Sequence, residues 1–122
     1  MYIIFGSEKR SVFQKMCDMI NEAGYKYRLG AGCYKGTNEL SVMMHQTGEP
    51  EFQFIQDGLR IARATNQESI LLVSDKGTGT LLYPEGDDFR TEDIGVIKQV
   101  SATKARTYQA YSNFGLNYFV FE

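Results

Sequence analysis

Met1 to Phe5 form an apolar run that ends at Gly6, the pattern of a short strand. Ser7 follows, a residue whose hydroxyl accepts hydrogen bonds from the free N–H groups that open a helix. Val12, Phe13, Met16, Cys17 and Ile20 then recur at the spacing of one buried helical face, and Gly24 stands where a left-handed cap ends a helix. The predicted helix is Glu8 to Ala23. Tyr25, Tyr27 and Leu29 alternate with Lys26 and Arg28, which predicts a half-buried strand breaking into a flexible loop over the glycine-rich Gly30 to Gly36. Leu40, Val42 and Met44 alternate with Ser41, Met43 and His45, a second strand expected to pair with the first and to stop at the Thr47 to Pro50 turn.

From Glu51 to Asn66, Phe52, Ile55, Leu59 and Ala62 mark another helical stripe, weakened by Gly58 in its interior. Ile70 to Ser74 reads as a short apolar strand, and the Asp75 to Gly79 turn makes a hairpin with Thr80 to Tyr83. Glu85 to Asp93 is acidic, and Ile94 to Val100 reads as a further strand. Tyr108, Tyr111, Phe114, Tyr118, Phe119 and Phe121 are too many rings to leave in water, so the C-terminus is expected to dock as a strand or to cover an interface. The order β-α-β-β-α-β-β with later additions predicts an α+β fold. Its expected form is a ferredoxin-like sandwich, a mainly antiparallel sheet with two helices on one face and extra C-terminal strands.

Composition narrows the function classes. The 122 residues suit a single domain spanning 1–122, so any site is built on one core or shared between subunits. A formal net charge of -2 lacks the footprint of a general nucleic-acid binder, and no such partner is expected. Cys17 and Cys33 stand apart rather than in a CxxC pair, and Met1 to Arg10 does not read as a leader. These features predict reduced thiols and a cytoplasmic protein. No apolar run approaches the roughly 18 residues that span a membrane.

Metal chemistry would require Cys17, Cys33 and the lone His45 to converge from three elements, and no metal is expected. A catalytic triad would likewise depend on His45, which sits in a strand pattern. Gly77 and Gly79 precede a strand without a GK[ST] motif and read as a turn rather than a phosphate loop. Gly30-Ala-Gly-Cys-Tyr-Lys-Gly-Thr-Asn-Glu39 is more informative. Its glycines permit close backbone approach, Tyr34 offers a ring face with a hydroxyl tip, and Glu39 offers a carboxylate at a strand entrance. The set suits a cationic small molecule, or else it is a flexible hairpin loop with a solvated Glu39. Gln67, at a helix-to-strand junction, reads either as a ligand contact or as a polar loop residue.

Gly32-Cys33-Tyr34, Glu39 leading into Leu40-Ser-Val-Met, Leu59-Arg-Ile-Ala-Arg63 and Gln67-Glu-Ser-Ile-Leu-Leu-Val73 together resemble the phage S-adenosylmethionine lyases, formerly called hydrolases. The resemblance covers about Ser7 to Val100. The stretch between Tyr34 and Glu39 is shorter than in that family, and the aromatic tail has no evident counterpart in it.

The resemblance implies a ferredoxin-like core and sites shared between the subunits of a homotrimer. It also implies a reaction without cofactor, in which the substrate's own carboxylate displaces methylthioadenosine and closes homoserine lactone. By the same resemblance Glu39 is the expected catalytic residue, with Tyr34, Gln67, Gly32 and Cys33 contacting substrate. A phage anti-restriction role in the host cytoplasm, with a possible host enzyme partner, would follow. The alternative is a non-catalytic phage-type protein that sequesters a nucleotide-like ligand or inhibits a host enzyme, through the acidic segment and the aromatic tail.

Overall fold

A computed structural model describes residues 1–122. The chain runs β1 (Tyr2–Ser7), α1 (Arg10–Glu22), β2 (Lys26–Tyr34), β3 (Thr37–His45), α2 (Glu51–Ala64), β4 (Ile70–Val73), β5 (Thr78–Glu85), β6 (Asp88–Val100), α3 (Ala102–Ala105), β7 (Tyr111–Phe114) and β8 (Asn117–Phe121). The strands close into one barrel in the order β1-β3-β2-β7-β8-β6-β5-β4. Every ladder is antiparallel.

This closure corrects the expected ferredoxin-like sandwich. The predicted early elements are present, and α1 and α2 do pack on the sheet. The tail does not extend an open sheet, however: β7 pairs with β2 and β8 pairs with β6, which removes both edges. Closure satisfies the backbone groups that an open sheet would leave along its edges.

The second correction concerns the glycine-rich stretch. Residues 30–34 continue β2 against Ser41 to Thr37, and the chain reverses only at Lys35 and Gly36, both at positive φ. A two-residue turn of this kind needs left-handed backbone at both positions. Gly30 sits in a strand because β7 crosses close over it: a Cβ there would collide with the Asn113 carbonyl and lie 2.5 Å from Phe114 Cδ1.

The core lies between the barrel wall and the two long helices. Ile3, Phe5, Val42 and Met44 point outward from β1 and β3 onto Met16, Ile20, Phe54 and Leu59. Alternation then sends Ile4, Gly6 and Ser41 to the inside of the barrel, where they line a cavity. Val120 is buried beneath α3, while its neighbours Phe119 and Phe121 turn inward to the cavity. Both sides of the sheet therefore carry apolar residues.

Candidate functional site

The cavity measures ≈ 630 Å³, within the range of about 300–1,000 Å³ typical of small-molecule sites. It opens at the end of the barrel where β1 and β2 finish and β3 and β4 begin. Three short connections build most of this mouth, and the α3–β7 connection adds Ala110 beside the β2–β3 turn.

The α2–β4 connection owes its shape to the end of α2. Asn66 takes a positive φ of 54°, its N–H bonds the Arg63 carbonyl at 3.2 Å, and the Gln67 N–H bonds the Ala62 carbonyl at 2.9 Å. This is the paired bonding of a Schellman cap, with Asn in the left-handed position. It halts the helix and leaves Gln67, Glu68 and Ser69 on the rim. The same cap ends α1, where Gly24 carries φ 85° and the Tyr25 N–H reaches the Ile20 carbonyl at 3.2 Å.

The β2–β3 turn faces that connection. The Tyr34 hydroxyl shares a 3.3 Å hydrogen bond with Ser69 Oγ, and Lys35 Nζ lies 2.8 Å from Glu68 Oε1. The ammonium also stands 5.3 Å from the centroid of the Tyr34 ring. Turn and loop thus hold each other across the mouth.

The β1–α1 connection supplies Ser7 and Glu8. Ser7 ends β1 rather than capping the helix directly, and its Oγ accepts from the Lys9 N–H at 3.1 Å. Glu39 reaches the cavity from β3 and lies against Gly6, where a Cβ would stand 2.8 Å from Glu39 Cδ. Its carboxyl is pushed above the usual carboxylate range, chiefly because burial penalises the charged form and secondarily by the charge of Glu8. A cation arriving beside Glu39 would relieve that cost.

Of the residues singled out from sequence, Gly32, Cys33, Tyr34, Glu39 and Gln67 all line this cavity. Gly32 is buried in β2, and a Cβ there would lie 2.8 Å from the Tyr111 carbonyl and 3.1 Å from Ser41 Oγ. The Cys33 thiol donates to the Gln109 carbonyl at 3.5 Å. Sequence reasoning missed Glu8, Glu68 and Ser41, as well as Phe119 and Phe121 from the tail. Glu68 could have been found, since it follows Gln67 directly. The tail could not, because nothing local in its sequence says that β8 closes the barrel beside β6.

His45 and Cys17 lie elsewhere. His45 sits at the other end of β3, its ring centroid 6.0 Å from that of Tyr2, and burial, Arg28 and the N-terminal amine hold it below the usual imidazole range. Cys17 is buried under α1. No helix is long and apolar enough to cross a membrane.

Residues 7–122 match the model of the S-adenosylmethionine lyase family, so the chain belongs to that family and is an S-adenosylmethionine lyase. The match runs through the aromatic tail, which the resemblance read from sequence had left outside. A comparison with curated protein sequences returns no match.

Proposed function

We propose that the barrel cavity degrades S-adenosylmethionine by intramolecular displacement, with Glu39 orienting the substrate's methionyl arm. The observation that carries this reading is a half-buried, desolvated carboxylate at the polar mouth of a cavity whose inner walls are largely apolar.

The substrate carboxylate forms a C–O bond to the γ-carbon as the C–S bond breaks. The bonding pair goes to sulfur, giving neutral methylthioadenosine and homoserine lactone. No proton or water is consumed. An anion and a sulfonium cation are both lost along the path, so an apolar enclosure favours the transition state over the separated charges. Because nucleophile and leaving group already belong to one molecule, the protein's part is to freeze the arm's rotations in the curled, in-line conformer rather than to bring two reactants together.

Glu39 serves best at the ammonium. Placed at the sulfonium it would stabilise the charge that must disappear. Tyr34 presents its ring to the arm's cationic end, an attraction of about 0.5–2 kcal/mol. Gln67 donates or accepts a hydrogen bond at the rim, and Gly32 and Cys33 contact the substrate from the β2 wall of the cavity.

Sites shared between subunits of a homotrimer remain part of the proposal. Removing the methyl donor would serve an anti-restriction role in a phage-infected host.

The acidic 85–93 segment gives the non-catalytic alternative little support. It forms the turn and adjoining ends of the β5–β6 hairpin, and three of its five carboxylates bond other side chains of that hairpin: Glu85 with Arg90 at 2.8 Å, Glu92 with Tyr83 at 3.0 Å and Asp93 with Thr80 at 3.2 Å.

Purified protein mixed with S-adenosylmethionine is expected to yield methylthioadenosine and homoserine lactone, while Glu39→Gln folds and yields neither. No methylthioadenosine at high enzyme concentration would reject the reading.

A further inference from the structure

All four charged residues that line the cavity, Glu8, Lys35, Glu39 and Glu68, belong to the connections and strand ends of the mouth. They account for a charged arm and leave the inner cavity unexplained. Its walls are of another kind. From β8, Phe119 and Phe121 face inward, and along the same arc of wall stand Ile94 on the neighbouring β6, Leu81 on β5 and Leu71 on β4.

Two features of the fold hold this wall in place. Gly95 pairs with Gly79 and Asp93 pairs with Thr80, so Ile94 is the extra residue of a β-bulge. Bulges re-aim side chains, and here the re-aimed side chain lines the cavity. The Phe121 ring packs against the backbone of Gly79, where a Cβ would lie 2.5 Å from its Cδ2. On the other face of β8, Val120 is fully buried, so the strand cannot rotate to withdraw its rings.

A continuous apolar arc of two rings and three branched aliphatic groups suits a flat, uncharged, aromatic ligand group. Ser41, 3% exposed on β3, adds a hydroxyl for a polar edge of that group. We infer that Phe119 and Phe121 form the nucleobase wall of the site, so that the C-terminal hairpin selects a nucleoside while the mouth selects the charged arm. This deepens the proposed function and rests on it. Charged and apolar ends then fix the substrate's direction in the cavity.

The test separates the two halves of the ligand. Methylthioadenosine carries the nucleoside without the charges, and S-methylmethionine carries the sulfonium arm without the nucleoside. Titration calorimetry with both probes is run on wild type, Phe119→Leu, Phe119→Tyr and Glu39→Gln, each checked for folding by circular dichroism.

Loss of a stacking ring is expected to weaken methylthioadenosine about tenfold or more in Phe119→Leu. S-methylmethionine binding stays unchanged, and Phe119→Tyr keeps the nucleoside. In turnover, Phe119→Leu raises KM for S-adenosylmethionine with a smaller change in kcat. A folded Phe119→Leu that binds methylthioadenosine within about twofold of wild type overturns the inference. So does a wild type that binds no methylthioadenosine. A wild type that binds it through Phe119 yet converts no S-adenosylmethionine supports the base wall and rejects the lyase reading of this cavity.

Discussion

Replacing Gly6 with alanine tests whether the position of Glu39, rather than its mere presence, matters. The new Cβ would stand 2.8 Å from Glu39 Cδ and 3.3 Å from Oε2. Carbon atoms rest at about 3.5–4.0 Å, so the carboxylate must withdraw by roughly 0.7–1.2 Å. A misplacement of about 1 Å can cost about 100-fold in rate, or about 2.7 kcal/mol of transition-state stabilisation. Because the group displaced is the far end of a side chain, the stability cost stays near the low end of overpacking, about 1 kcal/mol. The methyl removes on the order of 30 Å³ from a cavity of ≈ 630 Å³, so simple occlusion does not account for such a loss. The assay is chromatographic detection of methylthioadenosine, with thermal melting of the same samples. A folded Gly6→Ala protein with wild-type kcat/KM would refute the placement of Glu39 at the reacting arm.

Three further outcomes follow from the packing and the charges. The Glu39 carboxyl titrates above its ordinary 4.5 in the folded chain, so its contribution to stability is fully present below the unfolded value and lost as pH rises through the folded one. Glu39→Gln should therefore lack that decline and melt higher than wild type at neutral pH, and parallel Tm-against-pH curves by scanning calorimetry would contradict the assignment. Tyr25, 7% exposed, donates to Asp57 Oδ2 at 2.5 Å on α2; Tyr25→Phe should cost about 1–2 kcal/mol in urea unfolding with activity retained, whereas an unchanged midpoint would remove the bond from the account. Gly30→Ala places a Cβ 2.5 Å from Phe114 Cδ1 at the β2–β7 seam, which should cost about 1–3 kcal/mol and speed proteolysis of the tail; a variant as stable and as resistant as wild type would argue against closure there.

Local pattern was enough to locate the two long helices, the β2–β3 pairing and the short apolar β4, because each rests on contacts made within an element or with its neighbour in sequence. It also singled out five residues that line the cavity. Gly32, Cys33, Tyr34, Glu39 and Gln67 were legible because a glycine-rich hairpin and a helix-to-strand junction are local features, and the topology of β1 to β4 brings their ends to one rim.

The sequence did not reveal that the barrel closes. Whether β7 joins β2 depends on hydrogen bonds between residues some eighty positions apart, and on Gly30 being bare enough for Asn113 and Phe114 to cross it. Read locally, the same glycines looked like a loop. Closure gives the aromatic tail a place: alternation along β8 buries Val120 outside, beneath α3, and turns Phe119 and Phe121 in. The chain by itself determined which polar and charged residues stand at the ends of β1 to β4. Only the tertiary structure decided that an apolar chamber lies behind them, since an interior exists only once the distant strands have met.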